Sequence, residues 1–90
     1  MPVVKFTANL KRFYPELNTM TVESDSIPQL LEVLEHKYPK FRHYIVDEQG
    51  RLRKHVNIFI GEELIRDRLN LSDPIGENDE VYIMQALSGG

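Results

Sequence analysis

The chain has 90 residues, enough for one small domain, residues 1–90; two domains would need about twice that length. At this size a chain buries only roughly 60–70% of the surface it exposes when unfolded, too little to enclose a large active site. Hydrophobic residues are 41% and charged residues 28% of the total, a balance that excludes disordered, collagen-like and low-complexity sequence.

Cysteine is absent, which removes disulfides, thiolate metal sites, iron–sulfur clusters and a cysteine nucleophile, and fits a cytoplasmic protein. Fourteen acids against eleven bases leave a net charge of −3, whereas nucleic-acid binders usually carry a basic excess. No apolar run approaches the ~20 residues of a membrane-spanning helix. Met1-Pro2-Val3-Val4-Lys5 lacks the charged-then-apolar order of a signal peptide. Neither a nucleic-acid nor a membrane partner is therefore expected.

Val4, Phe6, Ala8 and Leu10 alternate with Val3, Lys5, Thr7 and Asn9, the period-two signal of a half-buried strand. Pro15 and Asn18 mark a turn, and Met20 and Val22 suggest a second short strand, so the two form a hairpin with a long loop. Ser26-Ile27-Pro28-Gln29 reads as a helix start: Ser26 caps, Pro28 lies in the first turn, and Gln29 stands where a capping box needs it. Ile27, Leu30, Leu31, Leu34 and Tyr38 recur at helical spacing, and Pro39 stops the helix. Glu32, Glu35, His36 and Lys37 should face water.

Phe41, Tyr44, Ile45 and Val46 supply apolar bulk without clear period before the turn at Asp47-Glu48-Gln49-Gly50. Residues 55–60 read as a strand that Gly61 breaks, and Glu63-Leu64-Ile65-Arg66 as a brief further one. Leu69, Leu71 and Ile75 should pack a loop onto the core. A turn at Gly76-Glu77-Asn78-Asp79 leads into a last strand, Glu80 through Ala86. Strands gathered around a single main helix argue an α+β fold, a mixed sheet of four or five strands with the helix on one face.

The end of the chain carries the most information. Gln85-Ala86-Leu87-Ser88-Gly89-Gly90 places two glycines directly after a strand. Residues 87–90 read as a flexible tail that a narrow channel admits in extended form, where a β-carbon would clash. A frayed terminus or a cloning remnant is the plainer reading of a bare Gly-Gly.

Four stretches in this order resemble the MoaD/ThiS sulfur carriers, the prokaryotic ubiquitin-like β-grasp proteins. They are Val4-Lys5-Phe6-Thr7-Ala8, His55-Val56-Asn57-Ile58-Phe59-Ile60, Asn78-Asp79-Glu80-Val81 and Ala86-Leu87-Ser88-Gly89-Gly90, and the resemblance covers nearly the whole chain. Members often carry Gly where Asn78 stands, and an Asn-Gly pair where Gly61-Glu62 stands here. Asn78 also tolerates positive φ, so the turn survives. The segment from Asp47 to Lys54 is longer than in compact thiamin or molybdopterin carriers, and is more like the branch that includes the cysteine-biosynthesis carriers.

The resemblance implies a ubiquitin-like β-grasp fold and a protein cosubstrate, not an enzyme. It implies that an ATP-dependent E1-like adenylyltransferase/sulfurtransferase activates the Gly90 carboxylate, which becomes a thiocarboxylate, and that a biosynthetic enzyme, in the cysteine or molybdopterin route or a related one, accepts the sulfur. Gly89 and Ser88 then give the tail access. ATP and magnesium belong to the partner; this chain binds no cofactor and has no phosphate loop of its own. Ile58, Ile60, Tyr82, Met84 and Leu87 are the candidate docking residues, expected to point outward near the tail. The free chain is expected to be a monomer. Two other readings stay open: a ubiquitin-like modifier joined through Gly90 to lysines, and a plain β-grasp binding module.

Other signals read as structural. His36, His43 and His55 show no ligand spacing, so no metal site is expected. Asp73, Glu77, Asp79 and Glu80 crowd one loop without the EF-hand pattern. Arg51, Arg53 and Lys54, with Arg66 and Arg68, form a basic set that reads as a solvated strand end or a surface steering the chain toward an acidic partner. Adjacent Glu62 and Glu63 point oppositely in an extended segment and make a poor acid/base pair, and Ser24, Ser26 and Ser88 lack a readable triad.

Overall fold

The computed structural model describes residues 1–85. Its strands are β1 (Val3–Phe6), β2 (Met20–Thr21), β3 (Val56–Ile60), β4 (Glu63–Leu64) and β5 (Glu80–Gln85), and its helices α1 (Ala8–Phe13), α2 (Ile27–Lys37) and α3 (Phe41–Ile45). The five strands form one mixed sheet in the order β2-β1-β5-β3-β4. β1 and β5 run parallel; every other neighbouring pair is antiparallel. A single hydrophobic cluster joins Val4, Phe6, Ile58, Val81 and Ile83 of the sheet to Ile27, Leu30, Leu31 and Leu34 of α2 and Phe41 and Ile45 of α3.

The first strand is shorter than its alternation suggests. Thr7 donates its N–H to the Ile83 carbonyl, and its own carbonyl then accepts from Leu10 at 3.2 Å, which turns the chain into α1. Leu10 is still fully buried. Ala8 and Leu10 are two points of a pattern that a helical turn fits as well as a strand does, so the period could not decide between them.

The start of α2 follows its sequence signal. Ser26 Oγ accepts from Gln29 N at 3.3 Å, and Gln29 Oε1 accepts from Asp25 N at 3.2 Å. The reciprocal bond thus reaches one residue before the cap. One of the N–H groups that a helix start leaves unpaired, that of Gln29, is satisfied locally, and so is the N–H of Asp25 just ahead of the cap. The end is equally local: Tyr38 is extended ahead of Pro39.

The apolar stretch after Pro39 forms α3, which the sequence left irregular. Lys40 takes a left-handed conformation, φ 72°, and reverses the chain between the two helices. Glu35 does not simply face water. Its carboxylate accepts from Lys40 N at 2.8 Å and Arg42 N at 2.9 Å, and so caps the start of α3 from the last turns of α2. Phe41 is fully buried, edge-on to Phe6 at 5.8 Å between ring centroids, and Tyr14 packs edge-on to Phe41, Tyr38 and Tyr44.

Of the loop residues expected in the core, Leu71 and Ile75 are buried, but Leu69 is 63% exposed. Leu71 has φ 55°, a costly conformation for a branched side chain. The Asp67 carboxylate holds it there by accepting from the N–H groups of Leu69, Asn70 and Ser72 and from the Ser72 hydroxyl. Asn78 is not among the described residues of positive φ. Its turn is closed instead by Asp79, whose carboxylate accepts from Gly76 N at 2.6 Å.

The N–H groups of Arg42 and then Lys40 hold the Glu35 carboxyl below its ordinary value of 4.5. A lowered folded-state pKa contributes stability that is complete above the unfolded value and lost as pH falls through the folded one. Glu35→Ala should therefore cost about 1 kcal/mol at neutral pH, a cap's usual worth. Urea denaturation across pH should show the gap between wild type and variant closing below about pH 4.5.

Candidate functional site

β5 is the centre of the sheet. Val3 to Phe6 pair with Glu80 to Ile83 on one side, and Val56 to Ile60 pair with Gln85 to Val81 on the other. Val81 and Ile83 point into the core and are fully buried. The strand that leads to residues 86–90 is thus hydrogen-bonded along both edges, and this makes its end a fixed point of the fold.

The last bonds of β5 depend on a side chain. β1 leaves the sheet after Phe6, yet Thr7 Oγ1 accepts from Gln85 N at 3.2 Å while Thr7 N donates to Ile83 O at 3.2 Å. The hydroxyl extends the parallel ladder beyond the point where the backbone of β1 turns away. It also explains why Thr7, at the cap position of α1, makes no side-chain cap bond. Sequence reasoning placed Thr7 only on an outward strand face. A threonine at the end of a strand is too common to have singled it out.

The face of the sheet opposite the core presents two cross-strand rows. The pairing register sets Lys5, Tyr82, Phe59 and Leu64 side by side across β1, β5, β3 and β4, with Asn57 and Met84 in the next row. Tyr82 is 37% and Leu64 46% exposed, and Phe59 and Met84 are half-buried. Lys5 Nζ pairs with Glu80 Oε1 at 3.0 Å at the edge of this surface.

Tyr82 and Met84 therefore lie on the outer face beside the exit of the chain. Ile58 does not: it is fully buried opposite Ile83, which overturns its expected outward orientation. Ile60 shares that inward side and packs partly buried against the core. The outward apolar residue of β3 is Phe59, which sequence reasoning missed. The usable signal was Asn57, since a strand whose alternate residues are Val56, Ile58 and Ile60 buries that set and turns Asn57 and Phe59 outward. Leu87, Ser88, Gly89 and Gly90 lie outside the described residues.

The acidic loop does not converge on one site. Asp73 accepts from the N–H groups of Arg66 and Asp67, Asp79 closes the Gly76 turn, and Glu80 pairs with Lys5. Among the described residues no group of three or more His, Asp or Glu side chains gathers to hold a metal ion. Among them, too, no helix is long and apolar enough to cross a membrane.

The ThiS family model matches residues 4–90. The chain belongs to the ThiS family. Its match takes in Gly89 and Gly90. The sulfur carrier protein CysO of Mycobacterium tuberculosis is 27% identical over 74 residues, 80% of this chain and 80% of that protein. Among solved structures, a chain of the Amycolatopsis orientalis BexX/CysO complex aligns with a TM-score of 0.84 at 17% identity, covering 100% of both chains. Crystalline CysO from M. tuberculosis aligns at 0.81 and 22% identity, covering 97% of this chain and 100% of that one. The small archaeal modifier protein 1 of Methanosarcina acetivorans aligns at 0.77 and 26% identity, covering 98% and 94%. The fold is the ubiquitin-like β-grasp, as the resemblance implied. Members of this family are small sulfur carriers, not catalysts.

Thr7→Val keeps the shape of the side chain and removes its acceptor. The loss of one hydrogen bond, about 1 kcal/mol, should speed exchange of the Gln85 amide roughly fivefold. Exchange at Val81 and Tyr82 should stay unchanged, and Thr7→Ser should restore protection, as read by amide hydrogen exchange.

Proposed function

We propose that this chain is a sulfur carrier whose reacting group is the Gly90 carboxylate. The observation that carries the reading is the placement of Ser88-Gly89-Gly90 just beyond the central strand β5, in a chain of the ThiS family. A carboxylate is a poor acyl donor because it would have to expel oxide. An ATP-dependent E1-like enzyme removes that obstacle: a Gly90 oxygen attacks the α-phosphorus, pyrophosphate leaves, and an acyl adenylate forms. A sulfur nucleophile then adds to the carbonyl carbon and expels AMP. With sulfide as donor, the product is a thiocarboxylate with one sulfur in place of one oxygen.

The roles of this chain are presentation and docking. β5 fixes where the tail departs, and Gly89 with Gly90 gives it a backbone without β-carbons. Tyr82 and Met84, joined by Phe59 and Leu64, form the apolar face that meets the enzyme; Leu87, two residues beyond β5 in the sequence, is a further candidate contact. Methionine adapts to more than one partner surface, which suits a carrier that visits an activating enzyme and then a sulfur-accepting one. The segment before β3 favours a recipient of the cysteine or molybdopterin type. ATP and magnesium are bound by the activating enzyme.

A second reading has its own support. The likeness to a small archaeal modifier protein favours conjugation, in which a lysine amine takes the place of sulfide and an isopeptide bond forms at Gly90. Both readings share the adenylation step.

Intact mass after incubation with ATP, the activating enzyme and a sulfide donor should show one oxygen-for-sulfur exchange, localised to Gly90. Removal of Gly89 and Gly90 should abolish that exchange and leave the thermal melt unchanged. Tyr82→Asp should raise the KM for the chain roughly tenfold, the loss of one well-buried interface contact. Isopeptide adducts without thiocarboxylate would replace the carrier with the modifier.

A further inference from the structure

A groove beside the exit of β5 carries most of the basic residues that the sequence grouped together. Arg51, Arg53, Lys54 and Arg68 line it, with Asp47 as the one carboxylate and Leu69 at its rim. The groove lies near the end of β5, because its lining residue His55 directly precedes Val56, which pairs with Gln85, and Arg68 of its lining donates to the Val56 carbonyl.

Local hydrogen bonds build it. Asp47 and Arg51 close a turn through Asp47 N to Arg51 O at 2.9 Å and pair through Arg51 Nε to Asp47 Oδ2 at 3.1 Å. Leu52 N donates to Arg68 O at 2.8 Å, tying this segment to the 66–68 stretch. Arg68 then spans the gap: its guanidinium donates to Arg53 O at 2.6 Å, Val56 O at 2.9 Å and Asn57 Oδ1 at 2.9 Å. Arg53 Nε donates to His43 O at 2.7 Å.

Apart from the Arg51–Asp47 pair, these bonds orient the cations without neutralising them. Among the described residues, the ion pairs are Lys5 with Glu80 and Arg51 with Asp47. Arg53, Lys54 and Arg68 have no carboxylate partner there. A chain of net charge −3 thus holds uncompensated positive charge in a concave surface near the end of β5. Arg68 spends its hydrogens on backbone and amide oxygens, so it does not present the open fork of a phosphate clamp. A positive potential spread along a groove suits several carboxylates on a polypeptide, and exposed Leu69 offers an apolar side chain a place to rest.

We propose that this groove docks an acidic segment, carrying an apolar side chain, of the enzyme that takes hold of the tail. The identity of that enzyme rests on the carrier reading; the charge match does not.

The isotope-labelled chain is titrated with a peptide of alternating glutamate and leucine, with its glutamine counterpart, and with inorganic phosphate, following backbone amides by NMR. The acidic peptide should shift Arg53, Lys54, His55 and Leu69, and leave Ser24 and Asp25 at the opposite end of the sheet in place. Its affinity should fall with salt and drop roughly tenfold in Arg53→Glu/Lys54→Glu, the loss expected of a few exposed charge contacts. Lys54→Glu alone, at an exposed position, should show a smaller drop in the same direction even if the double variant does not fold. No shift, equal shifts with the glutamine peptide, or equal shifts with phosphate would each overturn the proposal. With the activating enzyme, Lys54→Glu should raise KM for the chain and leave kcat unchanged. An unchanged KM would remove that enzyme as the occupant. If wild-type Gly90 is never activated, the carrier reading fails, while the peptide titration still decides the groove.

Discussion

The parallel pairing of β1 with β5 joins the first strand of the chain to its last, and the rest of the structure depends on it. Parallel neighbours cannot be linked by a tight turn, so the intervening chain must cross over and return. It uses that crossover to lay α2 and α3 over one face of the sheet, and their apolar sides close the core. The other face shows Tyr82, Phe59 and Leu64. The same pairing puts β5 in the middle, flanked by β1 and β3, so the segment that leads to the glycines departs from the best-held strand of the molecule and not from an edge.

Carboxylates do a large share of the local work. Glu35 caps α3, Asp67 gathers the N–H groups of its own loop, Asp73 accepts from Arg66 and Asp67, and Asp79 closes the turn before β5. Each satisfies backbone donors that turns and helix starts leave unpaired. The remaining acids lie elsewhere on the chain and not in the groove, where Asp47 is the one lining carboxylate and pairs with Arg51. A chain acidic overall thus keeps Arg53, Lys54 and Arg68 without a carboxylate partner among the described residues.

Much of this was readable from the residues. The helix over Ile27–Lys37 announces itself through Ser26, Pro28, Gln29 and five apolar residues at helical spacing. β3 and β5 are long enough for alternation to show. Other elements were not legible. α1 and α3 span six and five residues, too few for any period to emerge, and each begins where a tertiary contact intervenes: Ile83 binding Thr7, and Glu35 binding Lys40 and Arg42. At the site, Tyr82 and Met84 followed from the parity of β5. Ile58 was misplaced although Asn57, alternating with Val56, Ile58 and Ile60, marks that set as the inward one; the pairing of Ile58 with the buried Ile83 makes the parity explicit.

By itself, the sequence determined the fold class, the main helix with its caps, the absence of cysteine chemistry and the glycine pair beyond the last strand. Those features are set by neighbours along the chain, where propensity, capping and spacing act. The tertiary structure alone decided which hydroxyl extends the ladder at Gln85, which outward side chains of β3, β4 and β5 share a row, and where Arg53, Lys54 and Arg68 converge. Each of these is set by contacts between residues far apart in sequence. Register across strands, unlike periodicity within them, exists only once the partners have met.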